Sequence, residues 1–68
     1  MGRFTQIKSE KIDFFYSHET QLCTIESDGD LTSHFLKPND LWLTMQRYRK
    51  KLIKEKVPYK ISQLELTK

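Results

Sequence analysis

Four basic side chains near the end of a helical segment have the spacing that phosphate binding needs. The four residues, at positions i, i+3, i+4 and i+7, are Arg47, Lys50, Lys51 and Lys54. A helix aligns residues with this spacing along one side. Such a row can neutralise nucleic-acid phosphates, and the resulting affinity depends on salt rather than on base sequence. A solvated helix face is the commoner explanation. Solvated faces usually mix both signs of charge, however, and only Glu55 interrupts this run.

Aromatic side chains in the first half of the chain are candidates for stacking on unpaired bases. Phe14, Phe15 and Tyr16 are consecutive, and Phe35 follows later. Core packing explains most of them, but a strand directs Phe15 to the face opposite Phe14 and Tyr16. The candidate nucleic-acid site therefore consists of the helical cations and two further residues. Its members are Arg47, Lys50, Lys51, Lys54, Lys37 and Phe15, with Arg49, Lys56 and Lys60 as outer contributors.

Other chemistry is poorly supported by the residue types and their spacing. His18, Cys23 and His34 match no zinc-ligand pattern. With two glycines in the chain, a glycine-rich phosphate loop is excluded, and no nucleophile elbow is present. We therefore expect no metal site, no cofactor and no enzymatic activity.

Length and cysteine content indicate one small domain over residues 1–68 that gains from association with a second subunit. A chain of this size buries only about 60% of its unfolded surface. The single Cys23 forms no internal disulfide, so oligomerisation is the remaining aid to stability. No stretch reaches the roughly 20 apolar residues of a membrane span, and no secretory leader is apparent. We expect a cytoplasmic protein that does not enter the membrane.

Charge is unevenly distributed between the two halves of the chain. Residues 1–34 carry a formal charge of −3 and residues 35–68 carry +6, which gives the net +3. One side of the fold should therefore be positive and another negative. A nucleic acid or an acidic protein fits the positive side, and pairing of two copies fits both sides.

The elements that position these residues are strands first and then a helix. Four β-rich runs predict strands over Arg3–Lys8, Lys11–Tyr16, Thr20–Glu26 and Leu31–Leu36. Asp28-Gly29 lies between the last two and fits a primed two-residue hairpin turn. The resulting fold class is α+β, with a four-stranded antiparallel β-meander followed by one amphipathic helix and a short C-terminal strand.

The helix is predicted over residues 40–56. Pro38 favours a first helical turn, Asn39 or Asp40 can cap it or favour its dipole, and Pro58 stops it near Lys56. In the tail over residues 57–66, Val57, Tyr59 and Ile61 alternate at period two, which predicts a fifth strand. A short helix over Ile61–Leu66 is the competing interpretation.

Apolar residues occur on both faces of the predicted sheet and on one broad arc of the helix. The arc consists of Leu41, Trp42, Met45, Tyr48, Leu52 and Ile53, and packing is the expected role of Trp42. Since one helix covers one sheet face, the other face is expected to meet a second copy, a partner protein or stacked bases. Covering by the C-terminal tail is the alternative.

The element order over residues 3–56, four strands and then a helix, resembles the unit of Whirly-type single-strand DNA binders. The resemblance implies dimerisation and DNA binding, and the tail after Pro58 departs from it. Together these features predict a homodimeric nucleic-acid-binding module of low sequence specificity. The alternative is a protein-binding regulatory or adaptor module that uses the open sheet face or an edge strand.

Overall fold

In the described part of the chain, five strands form one antiparallel sheet, and a single helix crosses one of its faces. The computed structural model describes residues 2–66. Its elements in chain order are β1 (Gly2–Ser9), β2 (Ile12–Ser17), β3 (Leu22–Ser27), β4 (Asp30–Phe35), α1 (Pro38–Lys54) and β5 (Tyr59–Leu66). The strand order in the sheet is β4-β3-β2-β1-β5. The predicted α+β meander and helix are confirmed, and the tail after Pro58 is a strand rather than a second helix.

The turn between β3 and β4 has the geometry that its sequence predicts. Asp28 and Gly29 both have positive φ, 52° and 85°, and Ser27 pairs with Asp30 directly before and after them. Positive φ at both central residues is the requirement of a type I′ turn, and glycine meets it without steric cost. This tight connection sets the register of β4 against β3.

The core lies between α1 and the inner face of the sheet, which is the face that α1 covers. Alternate residues of β1, β2 and β3 point into it, as the period of two requires. Met45 and Leu52 contribute from the helix, and Tyr48 packs at the edge with its ring 5.7 Å from that of Phe14. The buried residues are Ile7, Ile12, Phe14, Tyr16, Cys23, Ile25, Met45 and Leu52.

Both ends of α1 are defined by backbone geometry. Lys37 is the N-cap and is extended, with φ −70° and ψ 146°, and Pro38 begins the helix. Capping by Asn39 or Asp40 is not seen, but Asp40 lies in the first turn, where its charge favours the helix dipole. At the other end Lys56 has φ 58°, and its amide and that of Val57 donate to the last turn.

The expectation that Trp42 packs in the core is wrong. Trp42 is 58% exposed and Ile53, from the same predicted arc, is 59% exposed. The helix presents a narrower stripe to the sheet, which contains Leu41, Met45 and Leu52. Trp42 and Ile53 lie beside this stripe, on a flank where the sheet no longer reaches them.

The tail up to Leu66, where the described residues end, does not cover the second sheet face. β5 pairs with β1 along its whole length, from Tyr59 opposite Ser9 to Leu66 opposite Gly2. It therefore extends the sheet sideways and leaves the face opposite α1 uncovered by the residues that the structure describes. We call this surface the open face.

Candidate nucleic-acid interface

The four cations predicted for phosphate contact lie together on the exposed side of α1. Arg47, Lys50 and Lys54 point away from the sheet, on the side of the helix opposite the buried stripe, and Lys51 lies on the adjoining flank. All four side chains are exposed. We call these four residues the basic row.

Glu55, the acid that interrupts the run in sequence, is held by another partner. Lys11, in the turn between β1 and β2, forms an ion pair with it, and no other ion pair occurs among residues 2–66. The hydrogen bond from Lys11 is the main reason that the pKa of Glu55 is lowered, while the charges of Lys51 and Lys54 act in the same direction. Because Glu55 pairs with Lys11, it does not form an ion pair with a cation of the basic row.

Carboxylates at one end of the sheet limit the positive surface. A shallow depression there is lined by Lys11, by Val57 and by four acids, which are Glu10, Asp13, Glu26 and Asp28. The tips of the β1–β2 and β3–β4 connections bring these acids together. These acids repel anions, so approach to the basic row is favoured from the outer side of α1.

Two of the predicted site residues are separated from the basic row. Lys37 is the N-cap of α1, ten residues before Arg47, which is about 15 Å along the helix axis. Phe15 lies on the open face and stacks on Phe4, with ring centroids 5.2 Å apart and an interplanar angle of 29°. The sheet itself stands between Phe15 and α1. Phe15 and the basic row therefore belong to two separate surfaces, on opposite sides of the sheet.

The outer contributors are also dispersed. Arg49 is half-buried, and its Nε donates to the Tyr59 hydroxyl at 3.3 Å, so it joins α1 to β5. Lys60 lies on the open face beside Lys8 of β1. Lys56 forms the turn that ends the helix. Arg49 lies between Arg47 and Lys50 in sequence, but its side chain is directed to Tyr59 of β5 rather than to the basic row.

A line of apolar side chains across the open face was not predicted as a unit. Phe35, Leu22, Phe4 and Leu64 are linked by strand register, with Ser17 in the middle. We call these four apolar residues the open-face row. Phe35 is 78% exposed and Leu64 is 47% exposed. The alternation of side chains along each strand predicts that the four residues share one face. Their alignment into a row depends on the register between neighbouring strands, which the sequence does not show.

The remaining reactive groups have structural roles. His18 Nε2 lies 2.6 Å from the buried Thr5 hydroxyl, and its ring meets that of Tyr16 edge to face. Burial raises the pKa of the Cys23 thiol to about 11, so it acts as a small apolar side chain. Within residues 2–66, no cluster of three or more potential metal ligands occurs.

No helix in the described part of the chain is long and apolar enough to cross a membrane. Comparison of the chain with protein-family models, with curated proteins and with solved structures yields no match, so its function has to be inferred from its own residues.

Proposed function

We propose that this protein binds nucleic acid through the basic row, with little sequence specificity. The observation that carries the proposal is the exposure of four neighbouring cations on the outer side of α1, none of which has an ion-pair partner among residues 2–66. A surface helix normally interleaves acids with such cations. Here the nearest acid, Glu55, is engaged by Lys11.

The dimensions of the row suit a nucleic-acid backbone. Arg47 and Lys54 are seven residues apart, which is about 10 Å along the helix axis. Successive phosphates of one duplex strand advance by about 3.4 Å, so the row spans about three of them. Three of the four cations are lysines, which bind phosphate as point charges without the fixed bidentate geometry of arginine. This composition supports backbone contact rather than base recognition.

Trp42 is the exposed aromatic that shares an element with the basic row. It lies about 12 Å from Lys50 along the axis of α1, whereas Phe15 is on the opposite side of the sheet. A single strand that follows α1 can therefore reach Trp42 but not Phe15. Since Trp42 is the one tryptophan in the chain, its fluorescence reports such a contact directly.

The test is fluorescence anisotropy with labelled single-stranded DNA, duplex DNA and RNA at about 50 and 200 mM salt. The Lys50→Ala/Lys54→Ala variant should bind more weakly, and its log–log salt slope should fall by about 0.7–0.9 for each lost contact. The matched control is Lys8→Ala/Lys60→Ala, which removes the same two charges from the open face. Measured below the protein concentration at which two copies would associate, it should bind as the unmodified protein does. Equal weakening by both variants would show a net-charge effect and refute the proposal.

Protein binding is the second candidate, and the exposure of β4 favours it. β4 is an edge strand, and all six of its residues are exposed. An edge strand offers unpaired backbone groups to which a partner can add a strand. In a competition assay, an acidic protein that displaces the oligonucleotide would support binding through α1. Simultaneous binding of both would support a separate protein site at β4.

A further inference from the structure

The open face has three cross-strand rows of side chains, and the two outer rows differ in chemistry. At the end where α1 begins, the row runs Phe35, Leu22, Ser17, Phe4 and Leu64 from β4 to β5. The middle row has Phe15 on the central strand, between Thr24 and Gln6. The apolar residues of the outer row are thus arranged on both sides of Ser17, which lies on the middle strand of five.

The third row, at the other end of the open face, divides by charge. Glu26 on β3 and Asp13 on β2 are negative, whereas Lys8 on β1 and Lys60 on β5 are positive. Leu31 completes this row on β4 and is 66% exposed. Glu26 and the two lysines therefore lie on opposite sides of β2, and Asp13 lies on β2 itself.

We propose that the open face is the contact surface for a second copy of this chain, related by a two-fold axis parallel to β2. Such an axis reverses the strand order and keeps equivalent ends of the strands together. Leu22 then faces Phe4 of the second copy, and Glu26 faces Lys8 of the second copy. Each contact occurs twice, as an isologous interface requires.

The chemistry of the rows disfavours the alternative face-to-face dimer, in which the two-fold axis runs across the strands. Such an axis places the apolar row of one copy on the charged row of the other, which buries Glu26 against Leu22 and Lys8 against Phe4. Burial of unpaired carboxylates is costly. With the axis parallel to β2, Asp13 faces its own symmetry mate, but Lys8 is its neighbour in register in each copy and offsets this repulsion. Charge complementarity thus selects a single arrangement.

The area of the open face is sufficient for a modest dimer. Five strands spaced by about 4.8 Å and six residues at about 3.3 Å each give a footprint of about 24 by 20 Å. Two such surfaces remove about 1,000 Å² from solvent, which is near the lower limit for a specific interface. Aligned sheet packing at about 10 Å separation is the expected geometry. We therefore expect an affinity in the micromolar range.

This inference is independent of the proposed nucleic-acid binding, because the two surfaces lie on opposite sides of the sheet. In the dimer, both α1 helices remain on the outside and both basic rows stay accessible. Loss of dimerisation would leave the phosphate contacts of each copy intact, and loss of phosphate binding would leave the dimer intact. The two proposals can therefore fail separately.

The test is sedimentation equilibrium over about 5–500 µM protein, a range that brackets micromolar dissociation. The mass should rise from the monomer value of 8.2 kDa toward twice that value. Lys8→Glu and Glu26→Lys place like charges opposite each other, so each variant should weaken dimerisation by about tenfold or more. The combined Lys8→Glu/Glu26→Lys variant restores opposite charges and should recover to within about threefold of the unmodified protein.

The control is Lys51→Glu, which makes the same change of charge as Lys8→Glu on the other side of the molecule and should leave the dimer unaffected. Lys8 and Glu26 are exposed, so the variants should fold, and circular dichroism checks this point. A monomer at the highest concentration would overturn the proposal and leave the open face for a different protein. A dimer that the single exchanges do not weaken, or that the double exchange does not restore, would overturn the proposed arrangement.

Discussion

Replacement of Lys56 by glycine should stabilise the protein, because Lys56 ends α1 in a backbone conformation that favours glycine. Its φ is 58°, its amide donates to Ile53 O at 3.1 Å, and the Val57 amide donates to Leu52 O at 2.9 Å. This pair of hydrogen bonds is the Schellman motif, in which the left-handed position is usually glycine. Val57 also packs against the core cluster that contains Leu52, as commonly accompanies the motif.

The magnitude follows from three opposing contributions. A residue with a Cβ pays about 1–2 kcal/mol in the left-handed conformation, and glycine avoids this strain. Glycine loses about 0.5–1 kcal/mol more conformational entropy than alanine on folding. Removal of the lysine charge near the helix C-terminus costs about 0.3 kcal/mol more. The net gain for Lys56→Gly is therefore about 0.5 kcal/mol, or a few degrees in Tm for a domain of this size.

Lys56→Ala separates these contributions, because it removes the charge and keeps the Cβ. It should be slightly less stable than the unmodified protein, and Lys56→Gly should exceed it by about 0.5–1 kcal/mol. Urea unfolding followed by circular dichroism measures both variants, at one fixed protein concentration so that any association contributes equally to each. A glycine variant no more stable than the alanine variant would refute the left-handed helix end. The course of the chain from α1 into β5 would then be wrong.

Three further predictions concern buried and paired groups. Tyr16→Phe should cost about 1–2 kcal/mol in urea unfolding, because the buried Tyr16 hydroxyl donates to Leu36 O at 2.7 Å and the variant leaves that carbonyl without its partner. Glu55→Gln should lower stability at neutral pH, and the difference should disappear in acid. The hydrogen bond from Lys11 lowers the pKa of Glu55 below its ordinary value of 4.5. The stability that the ionised carboxylate contributes is therefore present above pH 4.5 and is lost as the pH falls through the folded pKa. Equal urea midpoints of the two proteins at about pH 7 would contradict this. Cys23 should resist alkylation at pH 8 in the native protein and react after unfolding in urea, since its pKa is about 11 and it is buried; rapid native labelling would place it at the surface.

Strand geometry was predictable because side chains alternate with a period of two, whatever the tertiary context. The placement of Phe14 and Tyr16 on one face and Phe15 on the other follows from this period alone. The turn at Asp28-Gly29 was predictable for a similar reason, since few residues tolerate positive φ at both positions. These local rules account for the meander and for the uncovered face.

The rotation of α1 about its axis was not predictable to the same accuracy. Its apolar residues occupy an arc wider than the sheet can cover, so the pattern permits several rotations. The structure buries the side with Met45 and Leu52 and exposes Trp42 at the margin. The sequence pattern of a helix does not show where the sheet lies beneath it. The exposure of the basic row did not depend on this rotation, because its four cations lie outside the apolar arc.

The open-face row shows a different limit of sequence interpretation. Leu22 and Phe35 face each other, as do Phe4 and Leu64, because of pairings between strands. The connection from β4 to β5 contains the whole of α1, so no short turn sets the register of β5. Alternation could assign each of these side chains to a face, but it could not align them into a row.

The pairing of the first strand with the last affects how quickly the chain can fold. β1 is joined to β2 by a tight turn, whereas its other neighbour, β5, begins fifty residues after β1 ends. The three sequential hairpins are local and close small loops, but the β1–β5 ladder has to close a long one, and such contacts slow folding. We expect β5 to dock after the meander has formed, so β1 is transiently an unprotected edge. During synthesis this edge stays open until β5 has left the ribosome, and the topology therefore carries a risk of aggregation at that stage.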